Sequence, residues 1–379
     1  MSGQPRADRD LRGPRGPRVV SRPAPAWARL LTLAAVVAAS GARAQPGPAA
    51  PPATRDSAQA RVVFWPEVTT LVQAGRVRDV AFLNSGLNIV SAVEMAWCAD
   101  AQSRTLVAVA TKPIAGTAEA GEEMGRRAEG ALVDPAAIYA SAAGVLVLGQ
   151  DARLLAFRSG WTDTLDLGPA NGPARDLAVG PSGLVYILLG NEVRVFSDPP
   201  RGKPLWTIPA PASLGSVVGM AASARGDIYL AGERALAILE LDAKGAWKPT
   251  RSRTLSELGV GSIGGLALTP ALLVPLERRE GWSGRDRFLL LSDPGKPAVL
   301  ALEAATLETV GRIDLAAELP GAVPGRLDIS NRAQIAIVDP ESGRALALPA
   351  RLFARLIEGA KIRWRTIEPD STAAGSSGS

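Results

Sequence analysis

The stretch from Arg175 to Ser197 reads RDLAVGPSGLVYILLGNEVRVFS, and it is the part of the sequence that decides the fold. Short apolar runs alternate in it with the turn-forming groups GPSG and GN. Apolar runs of this length, bounded by Gly, Pro, Ser and Asn, are typical of β-strands joined by tight turns. The stretch therefore predicts consecutive strands that form an antiparallel sheet.

The same plan, a short apolar strand followed by a tight turn and a second strand, recurs along the chain. Clear copies begin at Arg78 (RDVAFLNSGLNIVS), at Val218 (VGMAASARGDIYLA) and at Gly325 (GRLDISNRAQIAIVD). Weaker copies lie at 137–148, within AIYASAAGVLVL, and from Gly264 (GGLALTPALLVPLE). Internal repeats of this kind indicate a fold built from stacked, equivalent modules.

The spacing of the copies identifies the architecture. Asp176, Gly219 and Gly265 hold equivalent places and follow one another at steps of 43 and 46 residues. A four-stranded propeller blade takes roughly 40 to 50 residues. We therefore expect an all-β propeller of six blades with four antiparallel strands each. Seven blades stay open as an alternative, because the runs at 61–69 and 361–367 are unused; in a closed propeller these two would pair in one blade and remove its exposed edges.

The stretch from Arg175 to Ser197 also resembles the repeat of NHL-type β-propellers. In that repeat an ldiAv strand, a dGnvYV turn and strand, and an RvqvF strand follow in order, and the matching elements here are 176–179, 182–187 and 194–196. The module at 219–239 is similar but lacks the final aromatic residue. The resemblance implies a six-bladed propeller related to the NHL and sugar-lactone hydrolase folds.

The N-terminal segment has the three parts of a secretory signal. Arginines precede an apolar run at 30–39 (LLTLAAVVAA), which ends at the small-residue site Ala42-Arg43-Ala44. The uncharged stretch is shorter than the roughly 20 residues that span a bilayer. We therefore expect cleavage after Ala44, no transmembrane span in the mature chain, and a periplasmic or secreted protein.

Composition sets the remaining domain boundaries and argues against nucleic acid as a partner. The chain has a net charge of +5, but residues 1–44 hold eight arginines and two aspartates, so the rest carries about −1. Phosphate binding needs clustered Lys and Arg, which the mature part lacks. We expect a Pro- and Ala-rich linker at 45–60, the propeller at 61–368 and a polar tail at 369–379. We also expect the mature protein to be a monomer.

The absence of histidine restricts the chemistry. The chain has no histidine and one cysteine, Cys98, which excludes catalytic triads and sites with histidine or several cysteines around a metal. Carboxylate chemistry, a Ser-Lys pair or an oxygen-liganded ion remains. No DxDxDG loop occurs, so we expect no cofactor, although calcium without a motif stays open.

Arg-Asp pairs at the start of the innermost strands are the candidate binding site. We expect these pairs to face the central channel, where a ligand can dock; the alternative is that they pair with one another and close the blade junctions. The residues are Arg78, Asp79, Arg175 and Asp176, with Arg326 and Asp328 as an offset version.

Three functions follow from this reading. The first is an exported binding scaffold, more a binding protein than an enzyme, that holds a protein, peptide or glycan at the channel mouth. The second is a divalent-metal-dependent hydrolase or lactonase of the kind that the six-bladed resemblance implies. The third is a structural component of the cell envelope. The fold alone does not choose among them.

Overall fold

The computed structural model describes residues 68–72, 76–83, 95–111, 119–128, 130–141, 143–158, 161–169, 171–180, 183–197, 203–223, 225–270, 288–331 and 333–358. Within these residues the strands form six antiparallel sheets of four strands each. The predicted all-β class and the six four-stranded blades are confirmed.

Five blades take their strands from consecutive stretches of the chain. Blade 1 comprises β2 (Val77–Phe82), β3 (Met95–Asp100), β4 (Thr105–Ala110) and β5 (Glu123–Arg127); blade 2 comprises β6 (Pro135–Ser141), β7 (Gly144–Gly149), β8 (Arg153–Arg158) and β9 (Trp161–Asp166). Blade 3 comprises β10 (Ala174–Val179), β11 (Val185–Leu189), β12 (Glu192–Phe196) and β13 (Trp206–Pro209); blade 4 comprises β14 (Val217–Ala222), β15 (Ile228–Gly232), β16 (Ala235–Leu241) and β17 (Trp247–Thr254). Blade 5 comprises β18 (Gly265–Leu268), β19 (Phe288–Asp293), β20 (Ala298–Glu303) and β21 (Thr309–Asp314).

Blade 6 joins the two ends of the described chain. Its inner strands are β22 (Leu327–Ile329), β23 (Ile335–Asp339) and β24 (Arg344–Leu348), and its outermost strand is β1 (Thr69–Val72), which pairs antiparallel with β24. Closure of one blade by strands from both ends of the chain was predicted, and β1 pairs with β24 in this way. The predicted run at 361–367, and all but the last two residues of the predicted run at 61–69, lie outside the described residues, so their pairing stays a prediction.

The innermost strands of the six blades surround one central channel. These strands are β2, β6, β10, β14, β18 and β22, and each contacts the innermost strand of the next blade, with β22 contacting β2. Each of them begins one of the repeats seen in the sequence. The repeat spacing therefore located the channel-lining strand of every blade.

The second strand was misplaced in two of the repeats. β2 pairs with β3 and not with the run at 86–91, and β18 pairs with β19 and not with the run at 271–277; both of those runs lie outside the described residues. β3 and β19 each end in an aspartate whose carboxylate accepts backbone N–H groups of the following turn, as Asp100 does from Gln102 at 2.9 Å. This turn-forming aspartate is the sequence signal that marks the true strand.

The hydrophobic core lies between successive blades, where the faces of neighbouring sheets pack. Tyr186 and Leu188 of blade 3, for example, pack with Met220 and Leu230 of blade 4. Cys98 is buried in the cluster between blades 6 and 1, and burial raises the pKa of that thiol.

Helical structure is short and peripheral within the described residues. It comprises α1 (Leu255–Leu258), α2 (Ala350–Ile357) and two 3-10 turns at Ala212–Leu214 and Leu315–Ala317. Helix α2 packs its apolar face on blades 5 and 6, with Phe353 against Phe288 at a centroid distance of 6.3 Å. No helix of the described residues is long and apolar enough to cross a membrane.

Candidate functional site

Alternate residues of the innermost strands form two rings around the channel, because alternate side chains of a strand share one face. Equivalent positions of the repeats define each ring. The floor ring comprises Asp79, Ala137, Asp176, Gly219, Gly265 and Arg326. The middle ring comprises Ala81, Tyr139, Ala178, Ala221, Ala267 and Asp328.

Three channel aspartates connect neighbouring blades by the same pair of hydrogen bonds. Each accepts the N–H of the residue that follows it and one N–H from the innermost strand of the next blade. Asp79 accepts from Val80 at 2.9 Å and from Ile138 at 2.8 Å. Asp176 accepts from Leu177 at 2.9 Å and from Met220 at 2.6 Å.

Asp328 repeats this arrangement at the junction where the ring closes. Its Oδ2 accepts the N–H of Phe82 in blade 1 at 2.7 Å, and its carboxylate also accepts the N–H of Ile329. The aspartates thus hold together the junctions of blades 1 and 2, 3 and 4, and 6 and 1.

Arg326 reaches across the channel from blade 6 to blade 3, which stands opposite in a six-membered ring. Its Nη1 lies 2.7 Å from Oδ2 of Asp176, and its Nη2 donates to the carbonyl oxygen of Arg175. Both side chains are largely buried, with 17% of Arg326 and 8% of Asp176 exposed. Gly219 and Gly265, the floor-ring residues of blades 4 and 5, carry no side chain.

A cavity of about 350 Å³ lies between the floor ring and the end of the innermost strands where they turn into the second strand. We call this cavity the well. Asp79, Asp176 and Arg326 line its floor, all six residues of the middle ring line its wall, and Gly180 and Pro270 line its far end. Four of the six middle-ring residues are alanine, and their small side chains account for the space.

Burial dominates the electrostatics of the well. Burial raises the pKa of Asp79 to about 7, although Arg326 acts to lower it and Asp176 adds to the rise. Burial likewise raises the pKa of Asp328 to about 7, against the two N–H donors that favour its charged form. Burial acts to lower the pKa of Arg326, but Asp176 and Asp79 outweigh it and raise that pKa.

The structure divides the predicted site residues into two sets. Asp79, Asp176, Arg326 and Asp328 line the well, whereas Arg78 and Arg175 are not among its lining residues. That the side chains of Arg78 and Arg175 face the channel stays a prediction. Arg78 makes a long ion pair with Asp134, at 3.9 Å.

The pairing within the predicted set also differs from the expected one. The adjacent Arg-Asp pairs in the sequence do not pair with each other; the ion pair that forms joins Asp176 to Arg326, 150 residues further along the chain. Sequence reasoning also missed Tyr139 and the four alanines of the middle ring. The signal for the alanines was a small residue two places after the floor-ring position in four of the six repeats.

Metal ligands are not grouped in the part of the chain that the structure describes: no three residues among His, Cys, Asp and Glu lie close enough there to hold an ion together.

No protein-family model matches this sequence, and no curated protein matches it. Solved structures do match it. The β-propeller domain of Cps50 (Swd1) from Myceliophteria thermophila is 9% identical, with 74% of this chain and 98% of that chain covered and a TM-score of 0.48. A chain of a mitotic checkpoint complex is 11% identical over 75% of this chain and 94% of that chain, with a TM-score of 0.48. Hsv2 from Kluyvelomyces marxianus is 10% identical over 71% and 70%, with a TM-score of 0.41. At these identities and TM-scores the likeness carries no inference about function.

Proposed function

We propose that this chain is an exported binding scaffold whose ligand enters the well from the end where the innermost strands turn. The observation that supports the proposal is the well itself. Its volume of about 350 Å³ falls at the lower end of the roughly 300 to 1,000 Å³ of ligand pockets. Apolar walls with a few convergent polar groups are also typical of such pockets.

A small molecule, or one side chain or terminal group of a protein, peptide or glycan, fits a cavity of this size. The charged groups of the well lie at its floor and at Asp328 of its middle ring, and most of the other lining residues are apolar. An inserted ligand would therefore be oriented by its polar end and held by apolar contact along its length.

The test is to fill the well and ask whether binding is lost. The mature chain, 45–379, is screened for a rise in melting temperature with peptides, neutral oligosaccharides, lactones, calcium and small organic ions. The filled variant carries Ala178→Leu and Ala221→Leu, and the control carries Ala316→Leu and Ala317→Leu in an exposed 3-10 turn.

We expect at least one compound to raise the melting temperature of the parent and the control but not of the filled variant. If no compound does so, or if the filled variant responds equally, the well is not the binding site. Turnover of a lactone by the parent, stimulated by calcium, would support the hydrolase alternative instead.

Export has its own test. The leader predicts that the exported protein begins at Gln45, which peptide mass spectrometry of secreted or periplasmic material determines directly. Peptides from 6–29 in that material would show that the leader is retained.

A further inference from the structure

We infer that the well takes an organic monocation, an ammonium group carried on a short apolar body. This inference rests on the proposed function, because it names the class of ligand for the same cavity. It is drawn from the charges that line the well, the position of Tyr139 in its middle ring and the apolar character of most of the rest of its wall.

The fixed charges of the well do not balance. The charged and titratable groups that line it within the described residues are Asp79, Asp176, Asp328, Arg326 and Tyr139. Arg326 forms its ion pair with Asp176. In the described part of the chain, no Lys or Arg nitrogen comes within 4 Å of Asp328, and Asp79 has only the more distant influence of Arg326.

Two carboxyl groups thus face the well without a cation in contact. A buried carboxylate is costly unless it is paired and hydrogen-bonded, and the hydrogen-bonding half of that requirement is already met by backbone N–H groups. Each carboxyl group must therefore stay protonated or gain a cation. A ligand that brings an ammonium group supplies the missing charge.

The middle ring places an aromatic ring on the other side of the same position. Asp328 belongs to blade 6 and Tyr139 to blade 2, and between them stands Ala81 of blade 1, with Asp79 beneath it in the floor ring. Ala81, with its small side chain, is the middle-ring residue between these two blades. An ammonium group near an aromatic face gains cation–π attraction, which grows when water is excluded.

The remaining wall favours an apolar body on the cation. Ala178, Ala221 and Ala267 continue the middle ring on the side of blades 3 to 5, and Leu266 and Leu268 flank the last of them. A hydrated metal ion would leave this surface unused. An alkylammonium ion would bury its chain there, at a gain of roughly 25 cal/mol for each Å² removed from water.

The probe is n-pentylammonium, with 1-pentanol and pentanoate as isosteric neutral and anionic comparisons, titrated calorimetrically into the mature chain at about pH 8, where the raised carboxyls are ionised. We expect the ammonium to bind and the other two to bind about tenfold or more weakly, the factor that one lost contact with a charged group gives. Lowering the pH to about 5 protonates Asp79 and Asp328, and we expect this to weaken the binding of pentylammonium by a similar factor.

Two variants test whether the binding of pentylammonium depends on a carboxylate of the well. Asp328→Asn keeps the size and an acceptor oxygen but removes the charge, and we expect it to lose about tenfold in affinity for pentylammonium. Asp163→Asn changes an exposed carboxylate on β9 and is expected to change nothing. If Asp328→Asn fails to fold, the comparison of pentylammonium with pentanol and the pH dependence of binding, both measured on the parent protein, still test the inference.

Equal binding of pentanol, tighter binding of pentanoate, or no effect of pH would overturn the inference. The outcome is separable from that of the proposed function. If a neutral or anionic compound protects the parent but not the filled variant, the well binds a ligand and only the ligand class is wrong; if no compound of any class does, both fail.

Discussion

The channel aspartates accept hydrogen bonds from backbone N–H groups that have no partner within their own sheet. The innermost strand is an edge strand of its blade, so alternate N–H groups point away from the sheet and have no strand partner. Asp79, Asp176 and Asp328 accept such groups from their own strand and from the next blade. A carboxylate, with two oxygens and about four acceptor positions, suits this double role.

Arg326 is expected to matter more for stability than any exposed arginine. Arg326→Met would leave Asp176 buried without its cation, and breaking a buried pair in this way typically costs about 3 to 5 kcal/mol. The control is Arg355→Met, which removes an ion pair with Glu318 from an arginine that is 58% exposed and should cost about 0 to 1 kcal/mol. Urea unfolding of both variants measures the difference, and equal losses would mean that the Arg326 contact does not hold the ring.

The raised pKa values of Asp79 and Asp328, about 7 in each case, predict a pH dependence of stability. Between about pH 4 and 7 the unfolded carboxyls are ionised while the folded ones still hold their protons, so the folded state binds more protons and stability falls as the pH rises. Above about pH 7 this contribution is gone. Urea midpoints measured across this range should decline in the parent and decline less in Asp328→Asn; a midpoint that rises through the range in the parent alone would contradict the assignment.

At the level of strands and helices, the sequence located a strand correctly where an apolar run also fell at the repeated spacing. The six innermost strands were placed correctly because each is a short apolar run at a repeated spacing. Where many residues separate that strand from its partner in the sequence, as before Met95 and before Phe288, a nearer apolar run was taken for the second strand. Composition cannot separate two such runs, because pairing with β2 or β18 is decided by register and not by local preference.

Gly311 on β21 provides a test of how closely helix α2 packs. A Cβ added there would lie 2.0 Å from the carbonyl oxygen of Leu356, so the helix has to move, and overpacking of this kind typically costs about 1 to 3 kcal/mol. At Gly219, also in a strand, an added Cβ would meet only Asp176 Oδ2 at 3.5 Å, an ordinary contact. We expect Gly311→Ala to lower the free energy of unfolding and Gly219→Ala to leave it nearly unchanged; the opposite order would argue against this packing of α2.

For the whole molecule, the number of blades and the joining of the chain ends followed from the repeat count and from the cost of an exposed edge. The sequence did not point to β24 as the partner of the N-terminal strand, because pairing between strands far apart in the chain depends on register and not on local composition. The well could not be predicted from the sequence either. That Arg326 meets Asp176 depends on blades 3 and 6 standing opposite each other, a relation that exists only once the ring has closed.

A disulfide between the chain ends tests this closure most directly. Thr69 and Ala347 are paired across β1 and β24, and paired strand residues bring their Cβ atoms to roughly 4.5 to 5.5 Å, close enough for a disulfide after a small adjustment. Thr69→Cys with Ala347→Cys is oxidised in dilute solution and compared with Thr69→Cys with Leu348→Cys, in which the second side chain points to the other face of the sheet. The closed six-bladed ring predicts an intramolecular disulfide in monomeric, folded protein for the first pair and little for the second. A first pair that stays reduced, or that links only separate molecules, would contradict the account.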